Sequence, residues 1–148
     1  MNKILTFIVN EYNEILLLKE NPRDPQFNES FWYVVTGGYE KQDNNLENTV
    51  KREVLEETGL IVNKSKFLNL IFKYKSLGKE CIEYVYISFV NKNKVILNEE
   101  SIDYRWCNLQ QFIESVKWYG KKEELKNILI EALKGKMYLK KEKIEEIK

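Results

Sequence analysis

The stretch GYEKQDNNLENTVKREVLEETGL, residues 38–60, decides how the rest of the chain is read. Its second half has the spacing of a helix from about Leu46 to Thr58. Gly59 stands where a C-cap favours glycine, and Asn44 or Asn45 stands where a side-chain oxygen caps the first turn. At about 100° per residue, Glu53, Glu56 and Glu57 occupy i, i+3 and i+4 and share an arc of roughly 100°. Val50 and Val54, with Leu55 further round, form an adjacent ridge expected to pack on a sheet and aim the glutamates. Like charges at these spacings cost an isolated helix about 0.2–0.5 kcal/mol a pair, and carboxylates near its C-terminus oppose the dipole. A hard divalent cation offsets both, because Mg²⁺ prefers oxygen and binds through a few carboxylates, waters and substrate phosphates. Taken alone, Glu-x-x-Glu-Glu is more often a solvated acidic surface than a metal site.

Outward from this helix the chain reads mostly as strands. ILTFIVN and EILLLKE, parted by the turn-like Asn10–Asn13, form two strands of a hairpin. Asn21–Asn28 holds both prolines, Pro22 and Pro25, and reads as an irregular loop before the strand FWYVVTG, which ends at Gly37-Gly38. FLNLIFKYK and CIEYVYISFV alternate in the strand manner, and DYRWCN is a shorter strand. Leu109–Val116 and Lys121–Leu133 have helical spacing, the latter with Leu125, Ile128, Leu129, Ala132 and Leu133 on one face. From Lys136 the tail is mostly Lys and Glu, a weak amphipathic helix with Ile144 and Ile147. Strands, a central helix, more strands and terminal helices describe an α+β sandwich with a mixed sheet in a single domain, residues 1–148.

Composition narrows the chemistry. The 24 Lys and Arg residues balance 23 Asp and Glu, so no bulk field recommends long nucleic acid or a membrane, and an anionic ligand must be captured locally. The chain has no His, so acid–base work falls to carboxylates, Lys, Tyr or Cys. Cys81 and Cys107 are too few for a disulfide framework and are expected to be reduced core residues. The apolar run Ile4–Val9 breaks at Asn10, too short for a signal core or a membrane span, and a cytoplasmic location is expected.

The full arrangement of residues 38–60 resembles the Nudix box, Gly-x5-Glu-x7-Arg-Glu-U-x-Glu-Glu-x-Gly-U, with U aliphatic. Gly38, Arg52, Glu53, Val54, Glu56, Glu57, Gly59 and Leu60 fall in register. One position departs: Asn44 stands where the family has its first glutamate, a residue that supports the loop and helix and is not a principal metal ligand. The metal set Glu53, Glu56 and Glu57 therefore survives, and Glu47 is expected to take part of the missing role. FWYVVTGGYE, the later Glu100-Ser101-Ile102-Asp103-Tyr104-Arg105-Trp106, and Trp118 before a helix are similar to the dihydroneopterin triphosphate and nucleoside triphosphate pyrophosphohydrolase branch. That likeness makes Glu100 an added catalytic carboxylate. Its neighbour Glu99 is expected to face solvent.

The resemblance implies an α/β/α sandwich and Mg²⁺-dependent, or Mn²⁺-dependent, cleavage of a pyrophosphate bond in a nucleoside triphosphate or other nucleoside diphosphate-X compound. Glu53, Glu56 and Glu57 hold metal, Glu53 or Glu100 deprotonates water, and Arg52 orients a box glutamate. Gly38, Trp32, Lys41 and Trp118 are expected at the substrate, with the aromatic rings, Tyr84, Tyr86 and Trp106 among them, as candidates to stack a base or pterin. Lys51, Lys73 and Lys75 are further candidates to meet phosphate oxygens. The alternatives are a 5′ RNA pyrophosphohydrolase, a dinucleoside polyphosphate hydrolase, or a non-catalytic Nudix-fold nucleotide-binding protein. The small-molecule enzyme is expected as a monomer or homodimer.

Overall fold

The structure, a computed structural model, describes residues 1–22 and 30–147, with side chains described as far as Lys134. The elements are β1 (Asn2–Val9), β2 (Ile15–Glu20), β3 (Trp32–Tyr33), β4 (Val35–Gly38), a 3₁₀ turn (Lys41–Asp43), α1 (Leu46–Thr58), β5 (Lys64–Ser76), β6 (Lys79–Phe89), β7 (Ser101–Cys107), α2 (Leu109–Ser115) and α3 (Lys122–Ile147). Most of the expected loop Asn21–Asn28, and the side chains of the charged tail with Ile144 and Ile147, lie outside the described residues.

β1 holds the sheet together. It runs parallel to β6, with Lys3 opposite Glu83 and Phe7 opposite Ile87, and antiparallel to β4, with Lys3 opposite Gly38. It meets β2 antiparallel only at Val9 and Ile15, so the expected hairpin splays soon after its turn. β2 then pairs with β7 and β3, and β5 pairs with β6 across a turn at Leu77 and Gly78, both at positive φ. The single strand expected over FWYVVTG is two: Trp32–Tyr33 pairs with β2, whereas Val35–Gly38 pairs with β1. The chain changes partners at Val34, and this sets β4 beside the middle of α1.

Strand alternation divides the core into two layers. Ile4 and Ile8 of β1 join Val35, Leu16 and Leu18 beneath Val50 and Val54 of α1. Leu5, Phe7 and Val9 face the other way, onto Phe112 and Ile113 of α2 and Leu125, Leu129 and Ala132 of α3. The result is an α/β/α sandwich with a mixed sheet. The two polar residues that alternation buries in the α1 layer, Thr6 and Ser88, satisfy each other at 2.7 Å. Leu55 does not join the ridge expected of it and is 54% exposed, because its position is turned a further 100° from Val54. Cys81 and Cys107 are free and buried.

Candidate active site

α1 is capped at both ends by the residues its sequence supplies. The Asn45 side chain accepts from Asn48 N at 2.8 Å, and Gly59 closes the helix at φ 73°, donating to Leu55 O. The valine ridge, buried against β4 and β1, fixes the helix rotation, and the glutamates emerge beside the Gly37-Gly38 end of β4. The missing side chain of Gly37 makes this approach possible: a Cβ there would overlap the side chain of Glu53.

Arg52 organises the site. Nε and Nη2 form a fork on Asp43 at 2.9 and 3.0 Å, Nη2 also donates to Gly38 O at 2.9 Å, and Nη1 reaches Glu53 at 2.9 Å and Glu56 at 3.3 Å. One guanidinium thus ties the loop before the helix to two of its carboxylates. Asp43 is buried and also accepts from Glu40 N and Thr49 Oγ1, each at 2.9 Å. The Arg52 guanidinium and these other donors hold its carboxyl far below the usual carboxylate range. Glu47 does not take the place left by the missing box glutamate, for it is exposed and is not among the ion-pair partners of Arg52. Asp43 supports the loop instead. Asn44 follows it at φ 70° and ψ −34°, a positive-φ conformation outside the left-handed helical well; asparagine is one of the side-chain-bearing residues found most often at positive φ.

The carboxylates of α1 are unequal. Glu56 is half exposed, whereas Glu57 is buried at 6% exposure. Glu53 and Glu100 are the acidic neighbours that act on the Glu57 carboxyl, and Glu57 Oε2 is enclosed with no hydrogen-bond partner among the described residues. Burial first, then Glu100 and Glu53, drive the Glu57 carboxyl well above its ordinary range; burial also raises that of Glu53. Glu100 comes from the loop before β7. Its backbone carbonyl accepts from Asn21 N at 2.9 Å, and its N–H donates to the Asn98 side chain at 3.0 Å, while Glu99 is exposed.

Among the described residues no group of three or more His, Cys, Asp or Glu side chains is placed so that it could hold a metal ion. The donor chemistry nevertheless fits a hard cation. Three carboxyls from two elements converge, and the buried oxygen of Glu57 has no hydrogen-bond donor, an arrangement costly without positive charge.

On the opposite face of the sheet lies a cavity of about 510 Å³, within the size range of small-molecule sites. Tyr33, Phe72, Tyr74, Trp118 and Tyr119 supply its rings, and Lys3, Lys73 and Glu83 its charge. Thr36 lines it as well, and the next residue along β4 is Gly37, against which Glu53 packs from the other face. Of the expected substrate residues, the structure places Trp118 in this cavity, packed on Phe7 and Phe72, and Gly38 beside Arg52. Trp32 lies elsewhere, its ring under the Arg105 guanidinium at 4.7 Å, and Lys41 is exposed on the 3₁₀ turn. Tyr84, Tyr86 and Trp106 pack with the α1 layer. Sequence reasoning passed over Asp43, Phe72, Tyr74, Glu83 and Tyr119. A signal for three of these was present: Phe72 and Tyr74 alternate on β5, and Glu83 interrupts the apolar alternation of β6.

A family model described as the NUDIX domain matches residues 2–128. Among solved structures, a MutT protein from Methanosarcina mazei is 23% identical over 86% of this chain and 88% of its own, with a TM-score of 0.63. The NUDIX domain of Shewanella oneidensis NrtR, solved with ADP ribose, is 15% identical over 90% and 88%, with a TM-score of 0.68. The Escherichia coli dihydroneopterin triphosphate pyrophosphohydrolase is 17% identical over 88% and 95%, with a TM-score of 0.65. These likenesses are of fold.

Proposed function

The chain belongs to the Nudix family, and on that premise we propose that it is a Mg²⁺-dependent pyrophosphohydrolase of a nucleoside triphosphate or related nucleoside diphosphate compound, acting as a single cytoplasmic domain. The observation that carries this reading is the convergence of Glu53, Glu57 and Glu100 around a buried carboxylate oxygen that lacks a donor, beside the side-chain-free end of β4. No helix among the described residues is long and apolar enough to cross a membrane.

Glu53, Glu56 and Glu57, with Glu100 facing them, are the residues that would hold Mg²⁺ or Mn²⁺. When bound, the cation neutralises phosphate charge and makes the attacking water more acidic. The protein's own contribution is position. Arg52 fixes Glu53 and Glu56 relative to the Gly38 carbonyl, and the bare backbone at Gly37-Gly38 lets a phosphate chain pass close to α1. Glu53 or Glu100 takes the proton of the attacking water, a carboxylate's role in a chain that has no His. For a triphosphate the products are the monophosphate and pyrophosphate.

The test is to supply nucleoside and pterin triphosphates with Mg²⁺ and follow pyrophosphate and phosphate release. Equal rates in excess EDTA would eliminate the metal, and hydrolysis of nothing in a wide panel would leave a binding protein. Glu100→Gln and Glu99→Gln then identify the base. Loss of roughly 10² to 10⁴ in turnover from Glu100→Gln alone assigns it. Equal, small effects from both leave Glu53.

A further inference from the structure

From the cavity behind β4 we infer a specificity-determining residue: Glu83 reads the ring of the substrate and selects one with an N–H beside an exocyclic amine, the 2-amino-4-oxopyrimidine edge shared by guanine and pterin. The inference deepens the pyrophosphohydrolase reading and rests on it for where the phosphates lie.

Four observations point to Glu83. It is a charged side chain 7% exposed, one of only nine buried polar residues among those described, and it lines a cavity otherwise walled largely by aromatic rings. It is held in place: Tyr74 OH donates to Oε2 at 3.1 Å, and on the strands either side Lys3 and Phe72 stand opposite it in register. Its other oxygen, Oε1, accepts no hydrogen bond from any described residue. Finally, Thr36 of the cavity wall is followed along β4 by Gly37, against which Glu53 packs, so a ring seated in the cavity can send its phosphates around the Gly37-Gly38 end toward α1.

The chemistry of recognition follows from these contacts. Trp118 and Phe72 offer faces for a planar ring but no discrimination between rings. An ionised carboxylate accepts only, with about four lone-pair sites, and Tyr74 uses one. It matches two adjacent N–H donors on a ring edge, as in guanine and in 2-amino-4-oxopteridines. Adenine and cytosine set an acceptor nitrogen beside their amine, so the same carboxylate meets one lone pair with another. Burial raises the Glu83 carboxyl, and the Tyr74 hydrogen bond and Lys3 act in the opposite sense, toward the accepting form. A buried acceptor left unpaired by the wrong ring is the costly outcome, and this asymmetry gives hydrogen-bonding pockets their selectivity.

Binding of the ring alone tests this without metal or turnover. Guanosine, inosine, adenosine and neopterin are titrated in EDTA against intrinsic tryptophan fluorescence, to which Trp118 in the cavity contributes. Guanosine and neopterin should bind at least roughly tenfold more tightly than adenosine, with inosine, which lacks the 2-amino group, between them. The order of guanosine and neopterin tells which ring the pocket suits better. Glu83→Gln, whose amide sets a donor beside its acceptor, should bring guanosine to within about threefold of inosine while leaving the unfolding temperature near wild type. Equal affinities for guanosine, inosine and adenosine in the wild-type protein would overturn the assignment even if the variant failed to fold, as would an unchanged preference in a folded Glu83→Gln. Selective binding with no hydrolysis of any triphosphate would sustain Glu83 and sink the enzymatic reading. Hydrolysis of all triphosphates with no ring preference would do the reverse.

Discussion

Gly37→Ala separates position from stability at this site. A methyl at residue 37 falls inside 3.0 Å of Glu53 Cγ, Cδ and Oε1, closer than real Cβ atoms come to a neighbour. What must move is the far end of a flexible side chain, and Gly37 does not lie at positive φ, so alanine suits the backbone. To regain ordinary contact the Glu53 carboxyl withdraws by roughly 1 Å, a misplacement worth up to about 10² in rate. That corresponds to about 2.7 kcal/mol in the barrier. Folding should hardly notice: the overlap is relieved by one torsion, and the loss of unfolded-chain entropy returns about 0.4–1 kcal/mol. The unfolding temperature should therefore stay within about 4 °C of wild type. Gly38→Ala is the comparison, because a Cβ there meets only Met1 Sδ at 3.9 Å. Turnover with Mg²⁺ and thermal unfolding of both variants are the measurements. Wild-type turnover in Gly37→Ala, or a greater loss in Gly38→Ala, would refute the claim that the open end of β4 exists to admit Glu53.

Three further outcomes follow from the loop and the buried carboxyl. Asp43→Asn, which weakens the fork on Arg52, should lower turnover roughly tenfold or more, and Glu47→Gln should leave it unchanged in the same steady-state assay. Asn44→Glu should change turnover less than about tenfold, roughly 1.4 kcal/mol in barrier. It should also cost about 1 kcal/mol in denaturant unfolding, since a glutamate would sit at φ 70°. Glu57 binds its proton more tightly folded than unfolded, so in EDTA its contribution to stability falls as pH rises above the ordinary carboxylate range. Glu57→Gln should accordingly unfold at a higher temperature than wild type at pH 7 without metal and at nearly the same temperature at pH 4. A gap that grew toward low pH would reverse the sign and disprove the argument.

Much of this was legible in the residues because it depends on local rules. The period of Val50, Val54 and the glutamates, with Gly59 behind them, defines α1 and its two faces before any tertiary contact is known. Asn45 is the cap that the loop demanded. Asp43 was hidden for a physical reason: its role depends on a 3₁₀ turn and on Asn44 crossing to positive φ, which brings the carboxyl one residue earlier onto Arg52. The partner switch at Val34 was hidden too, because FWYVVTG has uniform strand character and nothing in it says which neighbour each half will find. The cavity needed β5 and β6 in register, with a bulge between Phe67 and Ile71 whose Asn69 turns to positive φ. The pairing of the box Gly38 drew attention away from Gly37, whose bareness is the one that α1 requires.

The parallel pairing of β1 and β6 also governs the order of events when the chain is made. Asn2 finds its partner at Ile82, so about 80 residues must leave the ribosome before the most apolar strand is covered on that side. At synthesis rates of about 5–20 residues per second the wait is on the order of 10 s. Over that interval Ile4, Leu5, Phe7 and Ile8 are a ready template for another strand edge, while β5 and β6 zip up within microseconds of emerging. Folding therefore waits on long-range pairings, β1 with β6 and β2 with β7, and not on its hairpins, and substitutions in β1 that blunt its stickiness should act on yield during synthesis before they act on the finished protein.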